Sequence, residues 1–530
     1  MVKLRPSKDK KEGNPTDQEL LFEPITAKPV PIGISVVNRY PLKEPFVHVI
    51  ITEDPIRKTL IYLIDELKMN EEEKKVYSDI INILQIELKV PRSEVDPKKY
   101  FEEHAKRTVE KYKLSLGKMP NISWSKILYF AERDMIGYGP IDPIMLDPNI
   151  EDVSVDGVGK PVFVWHRNYE SLETNLTFKD DQELDDTIIR LVHLAGKHIS
   201  TAYPVVDATL PGRHRLAATF RREVSPQGST ISIRKFREDP ITIIDMLNFG
   251  TLDYKIASYL WMLMENRSST IVVGATASGK TTMLNSLLTM VRPNLKIVTI
   301  EEVQEINIPH QNWIPLVSRP SYGLSSDRIG EVSLYDLVKA SLRMRPDVLV
   351  VGEVRGEEAF VLFQAISTGH GGNCTLHADD VYSAMQRLTS KPMDVSPSYI
   401  PFIDLVVSTR RVAVPIAESG HLKIARRVIS VDEVIEYNKY LRVFEWAPSS
   451  DSFVAHRLED SYKLKKLARD RATSVDEVLK ELERRVLILD WLRKRGIRNY
   501  RDIGAIFEQY HNNPSEIYEK IEKQVGPIVK

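Results

Sequence analysis

The segment Gly274-Ala-Thr-Ala-Ser-Gly279-Lys280-Thr281 constrains this chain more than any other. It has the form G-x-x-x-x-G-K-[ST], follows the β-branched run Thr270-Ile-Val-Val273, and precedes a good helix start at Thr282-Met-Leu-Asn-Ser-Leu-Leu. Strand, glycine loop and helix in that order build an anion cradle. Successive backbone N–H groups turn inward, and the helix N-terminus adds the positive end of its dipole. Gly274, Ala275, Thr276, Ala277, Ser278, Gly279, Lys280, Thr281 and Thr282 are therefore the expected contacts to ATP. Lys280 is expected at the β- and γ-phosphates, and the Thr281 hydroxyl on Mg²⁺.

Two further apolar runs lead into acids. Lys296-Ile-Val-Thr-Ile ends in Glu301-Glu302, and Asp347-Val-Leu-Val-Val-Gly352 ends in Glu353. Carboxylates at the C-terminal edge of a parallel sheet sit where such sheets place ligands. One of the pair Glu301 and Glu302 is expected to orient or deprotonate water. Glu353 either holds Mg²⁺ through water or polarises the nucleophile, so the metal set is Thr281 and Glu353, and the division of labour between it and the pair stays open. Asp347 starts its strand and is expected at the far end of the sheet. In Thr368-Gly-His370-Gly-Gly-Asn-Cys-Thr375-Leu-His377, a pair of histidines brackets a short strand. Strand order carries His377 toward the γ-phosphate, where a neutral imidazole can donate to a phosphate oxygen. Cys374 lies inside that strand and reads as a small buried hydrophobe.

The rest of the chain supplies context. With 530 residues, roughly three or four domains are expected. Hydrophobic residues at 42% and charged residues at 28% fit a globular protein with real cores. A net charge of −1 gives no bulk field toward nucleic acid or anionic lipid, and one cysteine excludes a disulfide framework or a Cys-rich zinc site. No run approaches the roughly 18 apolar residues of a membrane span, and MVKLRPSKDKKEG lacks the apolar core of a signal peptide. A reduced, cytoplasmic setting is expected. Residues 1–53 read as a flexible basic and Pro-rich lead-in, and 54–138 as a helical subdomain, with IRKTLIYLIDELKM showing helical spacing at Leu60, Leu63, Ile64 and Leu67. Residues 139–236 read as an α+β lobe, 237–250 as a linker, 251–440 as a parallel-sheet α/β domain and 441–530 as a helical segment.

Taken together, TIEEVQE, LRMRPDVLVVGEVR and TGH…TLHA resemble, in order and spacing, the acidic box, Walker B block and His box of the secretion ATPase superfamily. Members of that superfamily drive type II secretion, type IV pili, archaella and type IV conjugation systems. GYGPIDPIMLDPNIEDVSVDG and PVVDATLPGRHRLAATF resemble its N-terminal lobe, so the similarity spans about 130–440. The resemblance implies a two-lobed α/β protein. An N-terminal helical plus α+β (PAS-like) lobe would be hinged to a C-terminal RecA-like P-loop ATPase lobe with a helical tail. It also implies a homo-hexamer in which Arg215 and Arg234, and less so Arg213 and Arg221, complete the nucleotide site, with Arg355 near the subunit interface. A polytopic membrane platform protein, and indirectly pilin-like filament subunits, are the implied partners; no nucleic acid is expected, and the implied location is cytoplasmic, peripheral at the membrane.

Two departures bear on this. The acidic box reads Glu301-Glu302-Val303 where the family has Glu-Asp-Pro or Glu-Asp-Thr, and set against that pattern Glu301 is the preferred water-activating residue. The tetracysteine subdomain of many bacterial members is absent, which points toward the archaeal branch. The expected function is an ATP-hydrolysing motor for a pilus-like filament or for secretion. An archaellum motor is the alternative within the family. Outside it stand a RecA-like nucleic-acid motor, for which net charge −1 and 8% aromatics give no support, and a nucleotide-gated scaffold without turnover.

Overall fold

The computed structural model describes residues 24–87, 96–117, 119–319, 330–415 and 422–525. The chain divides into two units, Met1–Phe236 and Arg237–Lys530.

The first unit is built on β1 (Val36–Lys43), β2 (Val47–Glu53), β3 (Leu60–Glu66), β4 (Ile150–Val155), β5 (Pro161–His166), β6 (Glu170–Thr177), β7 (Val205–Thr209), β8 (Arg215–Thr219) and β9 (Thr230–Arg234). Among the described residues they form one sheet in the order β1-β2-β3-β6-β5-β4-β9-β8-β7, antiparallel except where β3 pairs with β6. Helices Glu71–Glu87, Pro97–Tyr112, Pro120–Met135 and Asp181–Leu194 bury Ile80, Phe101, Phe130 and Ile188 in the same core as the sheet residues Val49, Leu172 and Ile233.

Two sequence expectations change here. Residues 60–66 are a strand, not a helix. Tyr62, Leu63 and Ile64 are all buried between neighbours on both sides, and a strand covered on both faces is continuously apolar, so its helical spacing is incidental. The 54–138 stretch is accordingly part of a shared core and not a separate helical subdomain. The lead-in is also structured from Val36, where β1 and β2 form a hairpin; residues 1–23 lie outside the described residues.

The second unit contains β10 (Thr270–Val273), β11 (Ile297–Glu301), β12 (Trp313–Val317), β13 (Val348–Val351), β14 (Gly371–Leu376), β15 (Leu405–Pro415), β16 (Leu422–Glu436), β17 (Lys439–Ala447) and β18 (Ser452–Ala455). Their order is β12-β11-β13-β14-β10-β15-β16-β17-β18. The six strands from β12 to β15 are parallel, and β16 to β18 continue antiparallel. Every strand of β10, β11 and β13 is buried along its whole length, which is why these runs are apolar without alternation. Parallel strands point their C-terminal ends at one edge, so the residues that follow β10, β11, β13 and β14 gather there.

The stretch 237–250 is not a free linker. Thr242 and Asp245 form a capping box for the helix Ile243–Asn248, and Ile243, Ile244, Met246 and Leu247 are buried in the second unit's core. Residues 441–530 are not helical throughout: β17 and β18 extend the sheet before the helices Tyr462–Asp470, Val475–Lys494, Tyr500–Asn512 and Pro514–Val525. Leu464, Leu482, Ile488 and Phe507 from these helices share one core with Met283, Leu284 and Leu287 behind the glycine loop. Among the described residues, no helix is long and apolar enough to cross a membrane.

Candidate active site

The glycine loop links the end of β10 to the helix Lys280–Leu288, as the sequence pattern requires. A Cβ on Gly274 would collide with Ser278 Oγ and the Thr409 carbonyl, so only glycine fits beside β15. Gly279 caps the helix with φ +93°, a left-handed conformation that glycine adopts without cost. Ala275, Thr276 and Ala277 are exposed, Ser278 and Lys280 are buried, and Thr281 and Thr282 are half-buried on the first helical turn.

Lys280 Nζ donates to the Ala275 carbonyl at 3.1 Å and lies 3.4 Å from His377 Nδ1. Burial lowers the Lys280 pKa, opposed by the Glu353 carboxylate. The lysine thus folds back over its own loop, reachable by a phosphate.

Register explains why Glu301, Glu353 and His377 meet. Ile300 pairs with Val351 and Val351 with Cys374, so the residues after these three strands share a level. Glu353 Oε2 accepts from Arg355 at 2.6 Å, and His377 Nε2 approaches Glu353 Oε1 at 2.8 Å, close but without hydrogen-bond alignment. Arg355 also faces Glu302 at 3.5 Å. Burial alone would raise the Glu353 pKa. Arg355, His377 and Lys280 outweigh it and hold the carboxylate below its usual range. Burial, and then the neighbouring Lys280, lower the pKa of His377, so a neutral imidazole is favoured.

Glu301 sits differently. Its side chain is 3% exposed, and Oε1 accepts the Glu305 and Ile306 amides at 2.9 and 3.0 Å. Oε2 is buried with no hydrogen-bond partner among the described residues. Burial pushes the carboxyl up to about 7, although the two amides pull the other way. The neighbouring strand leaves room only because residue 352 is glycine: a Cβ there would come within 2.9 Å of Glu301 Cγ. The two acids are therefore unlike, one held ionised beside cations and one poised near neutrality.

The structure also separates residues that the sequence had paired. His370 precedes β14 and His377 follows it, which puts them at opposite edges of the sheet; His370 bonds the Ala365 carbonyl at the end of the helix Glu358–Ser367. Asp347 lies at the far edge, taking the Lys296 amide at 2.9 Å and pairing with Arg267 at 3.2 Å. Cys374 is buried, with its thiol pushed up to about 12 by burial. Arg215 and Arg234 belong to the first unit. They stand directly opposite each other on β8 and β9, exposed, and pair with Asp207 at 2.7 Å and Asp152 at 3.2 Å. Arg221 is paired with Asp185 at 2.9 Å, and Arg213 packs on the Phe236 ring. Two residues went unread in the sequence. Thr409 and Arg426, from β15 and β16, contact the glycine loop; they lie 131 and 149 residues from their partners, with no local pattern to mark them.

The residues present suit Mg²⁺. Thr281 and Glu353 offer hard oxygen donors, and among the described residues no cluster of three or more His, Cys, Asp or Glu forms an all-protein cage. Magnesium bound mainly by substrate phosphates needs no such cage.

The family model for the type II/IV secretion system protein matches residues 136–444. The chain belongs to that family. An uncharacterized protein of Methanocaldococcus jannaschii is 37% identical over 399 residues, 74% of this chain and 70% of that relative. A putative conjugal transfer protein of Mycobacterium tuberculosis is 33% identical over 261 residues, 48% of this chain and 72% of that protein. Among solved structures, the ATPase DotB of Legionella pneumophila is 18% identical with a TM-score of 0.40, covering 71% of this chain and 93% of its own. The pilus retraction motor PilT with bound ADP is 15% identical with a TM-score of 0.39, covering 71% and 94%.

Proposed function

We propose that this chain is a Mg²⁺-dependent ATPase that works as a hexameric motor, driving assembly of a pilus-like filament or secretion through a membrane platform protein. The observation that carries the reading is the convergence of Lys280, Glu301, Glu353 and His377 on the sheet edge that also holds the glycine loop. Family membership supports it.

In this reading the loop amides and Lys280 bind the β- and γ-phosphates of ATP. Thr281 and Glu353 hold Mg²⁺, which when bound offsets charge on the phosphate oxygens. Glu301 takes a proton from the attacking water at its unpartnered Oε2, a task that suits a carboxyl near neutrality. His377, neutral and beside Lys280, donates to the γ-phosphate and exchanges that contact for Glu353 when the phosphate leaves. Arg215 and Arg234 stabilise transition-state charge from a neighbouring subunit. The two stand directly opposite each other at exposed strand positions, each in a surface ion pair that a phosphate could replace. The platform partner receives the resulting motion from the cytoplasmic side of the membrane.

Phosphate release by the purified chain tests this. Steady release that needs Mg²⁺ and vanishes in Lys280→Ala is expected, and Arg215→Ala should bind ATP normally while turning over more slowly. Release that survives in Lys280→Ala would place hydrolysis elsewhere.

A further inference from the structure

Ala277, at the apex of the glycine loop, has φ +61°, a left-handed backbone that strains a non-glycine residue. Within the loop, the Ser278 amide donates to the Ala275 carbonyl at 3.3 Å, and a side chain from outside the loop bonds Ala277 itself. Arg426 on β16 donates from Nε to the Ala277 carbonyl at 3.1 Å. Its aliphatic stem also covers Gly279, where a Cβ would lie 3.2 Å from Arg426 Cδ. One side chain thus lies against two positive-φ residues of the loop, Ala277 and Gly279. From the adjacent β15, Thr409 Oγ1 donates to the Val273 carbonyl at 3.0 Å and lies 3.1 Å from Ser278 Oγ. The paired strands β15 and β16 therefore both contact the loop through side chains.

We infer that Arg426 is a positioning residue that holds the glycine loop in its phosphate-binding conformation before nucleotide arrives. The inference rests on the ATP-binding reading for its consequence. A loop that is already formed spares the ligand the cost of ordering it, so the brace acts on affinity. An arginine reaching the reacting phosphate would act on turnover instead.

Three variants decide it: Arg426→Ala, Ala277→Gly and the double variant, each as the full chain. In hydrogen exchange without nucleotide, Arg426→Ala should exchange faster over 274–282 while peptides covering β11 and β13 stay at the parental rate. The Kd for ATP should rise about five- to tenfold, the size of one charge-assisted hydrogen bond at an exposed site, with kcat within about twofold. In the Ala277→Gly background the same arginine loss should cost less than about twofold, because glycine adopts the left-handed apex without the strain the brace offsets. Unchanged exchange over the loop overturns the inference. So does faster exchange spread evenly over the unit, or an undiminished penalty in the Ala277→Gly background. If the parental chain fails to bind ATP, the nucleotide reading falls, while the exchange comparison still decides the brace.

Discussion

Glu301 and Glu353 differ in burial and in the nearness of cations. Arg355, Lys280 and His377 surround Glu353, whereas Glu301 is buried with two amides on one oxygen and nothing on the other. A carboxylate held strongly ionised is a good cation holder and a weak base; one at about 7 is the better base. The consequence is a pH profile. A base works only when deprotonated, so kcat/KM should fall as pH drops through about 7 and level off above it. Glu301→Gln should slow turnover by about 100-fold or more and remove that limb of the profile. Steady-state kinetics between pH 5 and 9 checks this. A limb that persists in Glu301→Gln assigns the titration to another group. The two acids were legible in the sequence as acids ending apolar runs. Their difference was not, because it depends on Arg355 turning back to Glu353 and on the loop after Glu301 closing over it.

At the scale of elements, apolar runs located β10, β11 and β13, since fully buried strands leave an unmistakable sequence trace. The same trace misled at Leu60–Glu66, where a buried strand imitates a helical period. The helices after Ser461 read as an appended tail because amphipathic spacing does not say what the apolar face meets. They meet the core of the second unit. Glu433 on β16 is fully buried and accepts Tyr259 Oη at 2.5 Å, Ser461 Oγ at 2.5 Å and the Tyr462 amide at 2.8 Å, joining the helix Tyr254–Glu265, the sheet and the first tail helix. Arg485 repeats the arrangement further along: it pairs with Glu265 at 2.5 Å and packs over the Trp261 ring, which itself lies 4.2 Å from that of Phe507. Replacing Glu433 by Ala leaves several buried polar groups without partners and should cost about 3 kcal/mol. Differential scanning calorimetry should show the second unit melting several degrees lower as one transition. A separate early transition for the tail would show that it is an independent module.

For the whole molecule, parallel strand direction is what turns residues scattered from 274 to 377 into one site. The sheet delivers the phosphate loop, two acids of different character and a histidine to the same edge, and β15 and β16 contact the loop through side chains. The arginines expected from the resemblance are exposed on the first unit, each paired with a carboxylate. The account stands on ATP being both held and cleaved at this edge. The most direct measurement compares ATP binding and phosphate release in the parental chain and in Glu353→Gln. The account predicts that the parental chain binds Mg²⁺-ATP and releases phosphate, while Glu353→Gln retains ATP uncleaved. A parental chain that holds no ATP, or a Glu353→Gln chain that releases phosphate at the parental rate, would contradict it.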